Sequence, residues 1–340
     1  MKKILLPVFF GMIAVAVCHA DGPYHFIKEI PVGGDGGWDY LSVDSAAQRL
    51  YVSHATKVVV MDLAKDVVAG EITNTPGVHG VALASGLGLG VTSLGRVNQA
   101  GMVDLKTLQT LAVVDTAQGP DGMLYDPGQQ EAWLFCGRAR AVTVVDVKAR
   151  KVVATIPLGG RPEFAQVDPA AGRVYDNLED KSEVAVIDTK SHAVVANWPI
   201  APGEEGSGMA IDLKHHRLFI GCGGSKTMEM MDSTTGKILA SVPIGAGVDA
   251  NAFDPETQLA FASCGDGTTT IAHADGDKLT VVQTLKTERG ARTMALDPAT
   301  HKIYLATAEF KPQPEPADGG RRRPDLVPGS FKILVYGLDK

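Results

Sequence analysis

The chain is predicted to be all-β, a seven-bladed β-propeller of four-stranded antiparallel blades whose ring is closed by the N-terminal strand. Three observations predict it. An aspartate recurs at Asp126, Asp168, Asp212, Asp254 and Asp297 with spacings of 42 to 44 residues, and Asp44 stands two steps upstream. A second set, Asp62, Asp104, Asp146, Asp188 and Asp232, repeats at 42 to 44. Between the two sets the apolar residues alternate with the period of a strand. Units of about 40–45 residues that are β-rich correspond to propeller blades.

Taken in chain order, Lys2 and Lys3 precede an apolar run from Ile4 to Val17 and small residues near Ala20. That run is too short to span a bilayer and reads as a secretory signal over residues 1–20, which implies a periplasmic or secreted protein. A single propeller domain is expected over 21–340. The segment His25 to Ile30, followed by Pro31-Val32-Gly33-Gly34, repeats the pattern Thr155-Ile156-Pro157-Leu158-Gly159-Gly160, an outer strand and its exit loop. The last repeat ends after the strand Phe331 to Tyr336, one strand short. The N-terminal strand is therefore expected to complete the last blade and cover its edge.

Blades are expected to start near Trp38, Val78, Pro120, Pro162, Gly206, Val248 and Ala291. Four first-set aspartates are followed by proline, at Asp126-Pro127, Asp168-Pro169, Asp254-Pro255 and Asp297-Pro298. Proline presets the turn dihedral and aspartate caps the turn with its carboxylate. In the second blade Ala84 replaces the aspartate. Cys136, Cys222 and Cys264 share one register with His54, ten residues after their markers. Equivalent positions on different blades rarely approach to disulfide distance, so these cysteines are expected to be small core residues.

The repeat Gln48-Arg49-Leu50-Tyr51-Val52-Ser53, followed by Val58-Val59-Val60-Met61-Asp62-Leu63, resembles the YVTN-type repeat of the YncE-like family of exported bacterial propellers. The resemblance covers essentially the whole chain after residue 20. It implies the propeller fold and a binding or scaffold role.

The register five residues before the marker holds Asp39, His79, Asp121, Glu163, Ser207, Asp249 and Arg292. It lies where the chain enters each innermost strand, so all seven are expected to face one mouth of the central channel. Asp39, Asp121, Glu163 and Asp249 are candidate ligands for a hard divalent cation such as calcium. Crowded carboxylates raise one another's proton affinity, which makes His79 and Glu163 candidate acid–base groups with Arg292 as an anion-stabilising partner. Arg161 and Arg292 are suited to grip a carboxylate or phosphate, and Trp38, Tyr40 and Phe164 to supply an apolar wall. A small anionic or sugar-like ligand is the expected occupant.

Two insertions interrupt the repeat. Ala201-Pro202-Gly203-Glu204-Glu205-Gly206 lengthens the entry to the fifth blade, and a Pro/Arg-rich loop over 309–330 includes Arg321-Arg322-Arg323. The larger one is expected to be extended and to act as a flap over the mouth. The formal charge of −7 supplies no general attraction for nucleic acid. Walker, nucleophile-elbow, His-Glu-x-x-His and Cys-x-x-Cys motifs are absent, which argues against ATP use, serine esterase chemistry and zinc proteolysis.

Three functions stay open at this level. The first is a non-enzymatic propeller that binds a small ligand or a protein partner at the polar mouth. The second is a hydrolase similar in architecture to the seven-bladed lactonases, using His79, Glu163 and Arg292. The third is single-stranded nucleic-acid binding through Arg321, Arg322 and Arg323.

Overall fold

The computed structural model describes residues 22–312 and 325–338. The signal assigned to residues 1–20 and the triplet Arg321-Arg322-Arg323 lie outside the described residues. Seven four-stranded antiparallel sheets follow one another as blades. The innermost strands are Trp38–Asp44, Val78–Ala84, Pro120–Asp126, Pro162–Asp168, Gly206–Asp212, Val248–Asp254 and Met294–Asp297. Each packs on the innermost strand of the next blade, and Met294–Asp297 packs back on Trp38–Asp44, which closes the ring.

Closure uses the strand assigned to it. Tyr24–Pro31 pairs antiparallel with Lys332–Leu338, from Tyr24 opposite Leu338 to Pro31 opposite Lys332. Gln283 of the sixth blade brackets Tyr24: its Oε1 accepts from the Tyr24 amide at 2.9 Å and its Nε2 donates to the Tyr24 carbonyl at 2.7 Å. Ile30, Leu50, Val52, Met61, Tyr304, Phe331 and Ile333 then form one apolar cluster across the seam between blades 7 and 1. Burying a large aliphatic side chain contributes about 1.5–3 kcal/mol. Sealing the ring therefore rests on side-chain packing as well as on the strand ladder.

The first-set aspartates cap turns and also tie blades together. Asp168 Oδ1 accepts from the amides of Ala170 and Ala171, and Asp126 Oδ1 from that of Gly128. The second oxygen reaches the following blade where a donor is present. Ser85 Oγ donates to Asp44 Oδ2 at 2.6 Å, and His301 Nδ1 lies 2.7 Å from Asp254 Oδ2. Across the closing seam Ser45 Oγ donates to Asp297 Oδ1, the oxygen that also caps its own turn. These carboxylates are nearly inaccessible to water, so each bond satisfies a group that burial would otherwise leave unpaired.

Cys136, Cys222 and Cys264 are buried free thiols. Burial pushes their pKa up to about 11, 12 and 12 respectively. A thiol so held stays neutral and serves as packing. His54, in the same register, stacks on Phe331 with ring centroids 4.1 Å apart.

Candidate functional site

A bulge places the site. In six of the seven blades the pairing between the innermost and second strands shifts register at the residues of the polar ring: between Trp38 and Leu41, Val78 and Val81, Pro120 and Met123, Pro162 and Ala165, Gly206 and Met209, and Val248 and Ala250. A β-bulge breaks the in–out alternation and re-aims a side chain. Here it turns the ring residues toward the axis. In the seventh blade the innermost strand begins only at Met294, and Arg292 occupies the entry loop.

All seven ring residues line one cavity of about 340 Å³, together with Arg161 and Glu179. Glu179 was not among the sequence candidates. It sits in a 3-10 turn between the second and third strands of blade 4, a position that only the blade's hairpin brings to the mouth. Its carboxylate pairs with Arg161.

The floor is aromatic. One residue further along each inner strand, Tyr40 and Phe164 meet with ring centroids 4.8 Å apart. They come from blades 1 and 4, on opposite sides of the ring. The same register holds Gly80 and Gly122. A Cβ at Gly80 would stand 2.8 Å from the Tyr40 Cβ, and one at Gly122 would stand 3.1 Å from the Tyr40 hydroxyl and 2.6 Å from the Glu163 carbonyl oxygen. Glycine leaves the room into which the aromatic pair extends. Burial, and then the surrounding carboxylates Asp121, Asp39, Glu163 and Asp249, hold the Tyr40 phenol well above its ordinary pKa. It is a neutral hydroxyl.

His79 occupies the crossing of three blades. Its Nδ1 lies 2.7 Å from Asp39 Oδ2 and 3.0 Å from Asp121 Oδ1. Gly95 makes room for the ring, since a Cβ there would fall 2.6 Å from Nε2. Burial works against charging this imidazole, but the hydrogen bonds and charges of Asp121 and Asp39 outweigh it and raise the pKa to about 10. Three carboxylates of the cavity, Asp39, Glu163 and Asp249, hold protons more tightly than usual. Asp39 is raised mainly by burial despite its bond to His79. Glu163 and Asp249 are both raised to about 7, first by burial. For Glu163 the nearby charge of Asp121 adds to the rise and Arg161 opposes it. For Asp249, Arg292 opposes the rise and Asp39 adds to it.

The arginines lean on acids. Arg161 Nη1 lies 3.6 Å from Glu163 Oε1, and Arg292 Nε lies 3.6 Å from Asp249 Oδ2. Five carboxylates (Asp39, Asp121, Glu163, Glu179 and Asp249) thus share the cavity with three cationic side chains (His79, Arg161 and Arg292). The four carboxylates considered for calcium do not converge as a set. Among the described residues, one group of three or more has ligand atoms within 4.8 Å of one another: Asp39, His79 and Asp121. One imidazole nitrogen with two carboxylates suits a transition metal better than calcium, which takes six to eight oxygens.

Trp38 is not part of this cavity. It precedes the bulge, stands opposite His54 in the strand pair, and packs on Phe331 with centroids 5.3 Å apart. Strand alternation sends it into the seam between blades, where it borders only a neighbouring cleft. Glu204 and Glu205 lie outside the central cavity as well and line a separate cleft with Glu179 and Asp180. The ends of the 309–330 insertion run antiparallel, with Phe310 bridged to Leu326 and Arg289 over the Phe310 ring at 5.4 Å. The stretch expected to form a flap lies largely outside the described residues.

A larger cleft of about 590 Å³ opens at the other end of the propeller, between blades 5 and 6. Several of its charged groups are paired: Arg217 with Asp232 and Asp277, and His215 with Asp212. The smaller mouth, with its raised carboxyl pKa values, is the better candidate on chemistry. No helix among the described residues is long and apolar enough to cross a membrane.

No family model matches the chain, and no curated protein matches it in sequence. The fold itself is widely shared, with 1738 solved chains matching it. One is described as "Structure of U3-55K", 10% identical, with a TM-score of 0.73 over 92% of this chain and 98% of that one. At that identity the likeness concerns architecture alone, and the chain is a seven-bladed β-propeller.

Proposed function

We propose that this protein is an exported ligand-binding propeller whose channel mouth receives the donor-rich end, ammonium or hydroxyl, of a small molecule. The observation that carries the reading is the excess of carboxylates in the 340 Å³ cavity, with Asp39, Glu163 and Asp249 all holding protons more tightly than free carboxyl groups. Burial is the first cause, a neighbouring carboxylate adds to it in each case, and the cation beside each group offsets the rise only in part. A ligand ammonium supplies further positive charge, and ligand hydroxyls can donate to the same oxygens. The charge count supports this over the anionic ligand expected from Arg161 and Arg292, because both guanidiniums are already engaged by acids. Tyr40 and Phe164 close the floor and offer an apolar face to the ligand's carbon skeleton.

The test is native mass spectrometry of protein purified from its natural compartment, followed by isothermal titration with amines, sugars and carboxylic acids. Retention of a basic or polyhydroxylated molecule that Asp249→Asn releases supports the reading. Selective binding of simple carboxylates would reverse it.

A hydrolase reading has one observation in its favour: Glu163, with a pKa of about 7, is poised for proton transfer near neutrality. His79 is not, since an imidazole protonated up to about pH 10 has no free base to offer at pH 7. In that reading Glu163 is the acid–base residue and His79 an electrostatic one. Lactone turnover abolished by Glu163→Gln but retained in His79→Gln would support it.

A further inference from the structure

Two further clefts open onto the mouth beside His79. One, of about 420 Å³, contains Arg96 and shares Asp39, His79 and Arg292 with the central cavity. The other, of about 220 Å³, contains Arg138 and shares His79, Asp121, Arg161 and Glu163. Arg96 and Arg138 occupy the same position in the hairpins of blades 2 and 3, each following a glycine, Gly95 or Gly137. They differ from Arg161 and Arg292 in one respect. Among the described residues neither has a carboxylate within 4.0 Å, and the polar contact of Arg138 is a 3.5 Å approach to the Gly95 carbonyl oxygen.

The mouth is therefore electrically divided. Its interior holds more carboxylates than cations, whereas the flank over blades 2 and 3 carries two guanidiniums without acid partners among the described residues. His79, bound between Asp39 and Asp121, marks the boundary. A ligand of single charge satisfies one side and leaves the other uncompensated. Guanidinium recognises carboxylate, sulfonate or phosphate through paired N–H donors, and a cleft beside it limits competition from water.

We infer that the ligand is a zwitterion that places its ammonium among the carboxylates of the channel interior and its anionic group against Arg96 and Arg138. The inference rests on the reading of the mouth as a small-molecule site and adds the second half of the recognition code. Amine-bearing carboxylic acids and amine-bearing phosphates share the chemistry required.

Three four-carbon probes separate the alternatives: γ-aminobutyrate, putrescine and succinate, titrated at millimolar concentration into the full mature protein and into Arg96→Gln/Arg138→Gln. The expected order in the unmodified protein is γ-aminobutyrate, then putrescine, with succinate weakest. The double substitution should weaken γ-aminobutyrate about tenfold, the loss of one charge-assisted contact, and leave putrescine unchanged. Asp249→Asn should weaken both amines. Equal binding of γ-aminobutyrate and putrescine, or an unchanged γ-aminobutyrate affinity in the double variant, overturns the zwitterion and leaves the cation-seeking interior standing. Binding of none of the three, in variants whose melting curves match the parent, overturns the mouth as a small-molecule site and the zwitterion with it. A phosphate-bearing probe, phosphoethanolamine, distinguishes the two anion sources by its rank against γ-aminobutyrate.

Discussion

His79 Nδ1 and Asp39 Oδ2 lie 2.7 Å apart although 40 residues separate them, and the pair joins blades 1 and 2 across the channel mouth. With Asp121 on the other side, one imidazolium links three consecutive blades. The contact is structural and electrostatic at once, and its strength depends on the proton that His79 carries.

His79 should make folding sensitive to alkaline pH. Its folded pKa, about 10, lies above the ordinary 6.5. The stabilisation is fully present below about pH 6.5 and is lost as pH rises through about 10. Melting curves of the parent and His79→Gln should be furthest apart near pH 6 and converge toward pH 10. A gap that does not change with pH would show that the imidazole is uncharged.

Glu163 also lowers stability as pH rises, in a more acidic window and by gaining a buried negative charge rather than losing a positive one. Its folded pKa of about 7 exceeds the ordinary 4.5, so the unfolded chain gives up this proton first as pH rises. Stability falls between roughly pH 4.5 and 7. Glu163→Gln removes that loss. The variant should gain on the order of 1–3 kcal/mol over the parent at pH 8 relative to pH 4, measured by urea unfolding at the two pH values.

Gly122→Ala tests the aromatic floor. The new methyl would stand 2.6 Å from the Glu163 carbonyl oxygen, a backbone atom with little freedom to retreat. A destabilisation of about 1–3 kcal/mol is expected, together with altered ligand affinity because Glu163 must move. Gly86→Ala, whose Cβ meets nothing within 4 Å, serves as the control and should leave both properties nearly unchanged.

Removing residues 22–31 should open the ring. The strand Lys332–Leu338 would lose its partner and expose an unpaired edge, and the seam would lose Ile30. Loss of several kcal/mol and edge-to-edge association are expected, visible as a lower melting temperature and oligomers in size-exclusion chromatography.

Metal addition separates the two ligand sets considered at the mouth. Calcium should leave the melting temperature unchanged, since Glu163 and Asp249 do not join Asp39 and Asp121 within coordinating distance of one another. Zinc can engage Asp39, His79 and Asp121 only by displacing the Nδ1 proton, so any stabilisation it produces should grow with pH. Thermal shifts with each metal at pH 6 and pH 8.5 check both statements.

The blades, their turns and the closing strand were legible because each is encoded within about 42 residues: an aspartate that caps its own turn, alternation along a strand, and an N-terminal segment that copies an outer strand. The ring of polar residues was legible for the same reason, as a register. Trp38 lines the adjoining cleft rather than the central cavity because it directly precedes Asp39, ahead of the bulge. Plain alternation does not reveal where that bulge begins. Glu179 was missed because its register holds no acid in most other blades, and only the hairpin of blade 4 carries it to Arg161.

The sequence by itself determined the repeat, the blade count and the register of the seven polar ring residues, since turn chemistry and strand periodicity act over a few neighbouring residues. Tertiary structure alone decided protonation and pairing at the mouth: His79 charged between Asp39 and Asp121, Glu163 and Asp249 raised toward neutrality, Arg96 and Arg138 left without acid partners among the described residues. Charge interactions and desolvation depend on distances of a few ångströms in a partly dry cavity. Residues some 40 positions apart reach such distances only when the ring closes.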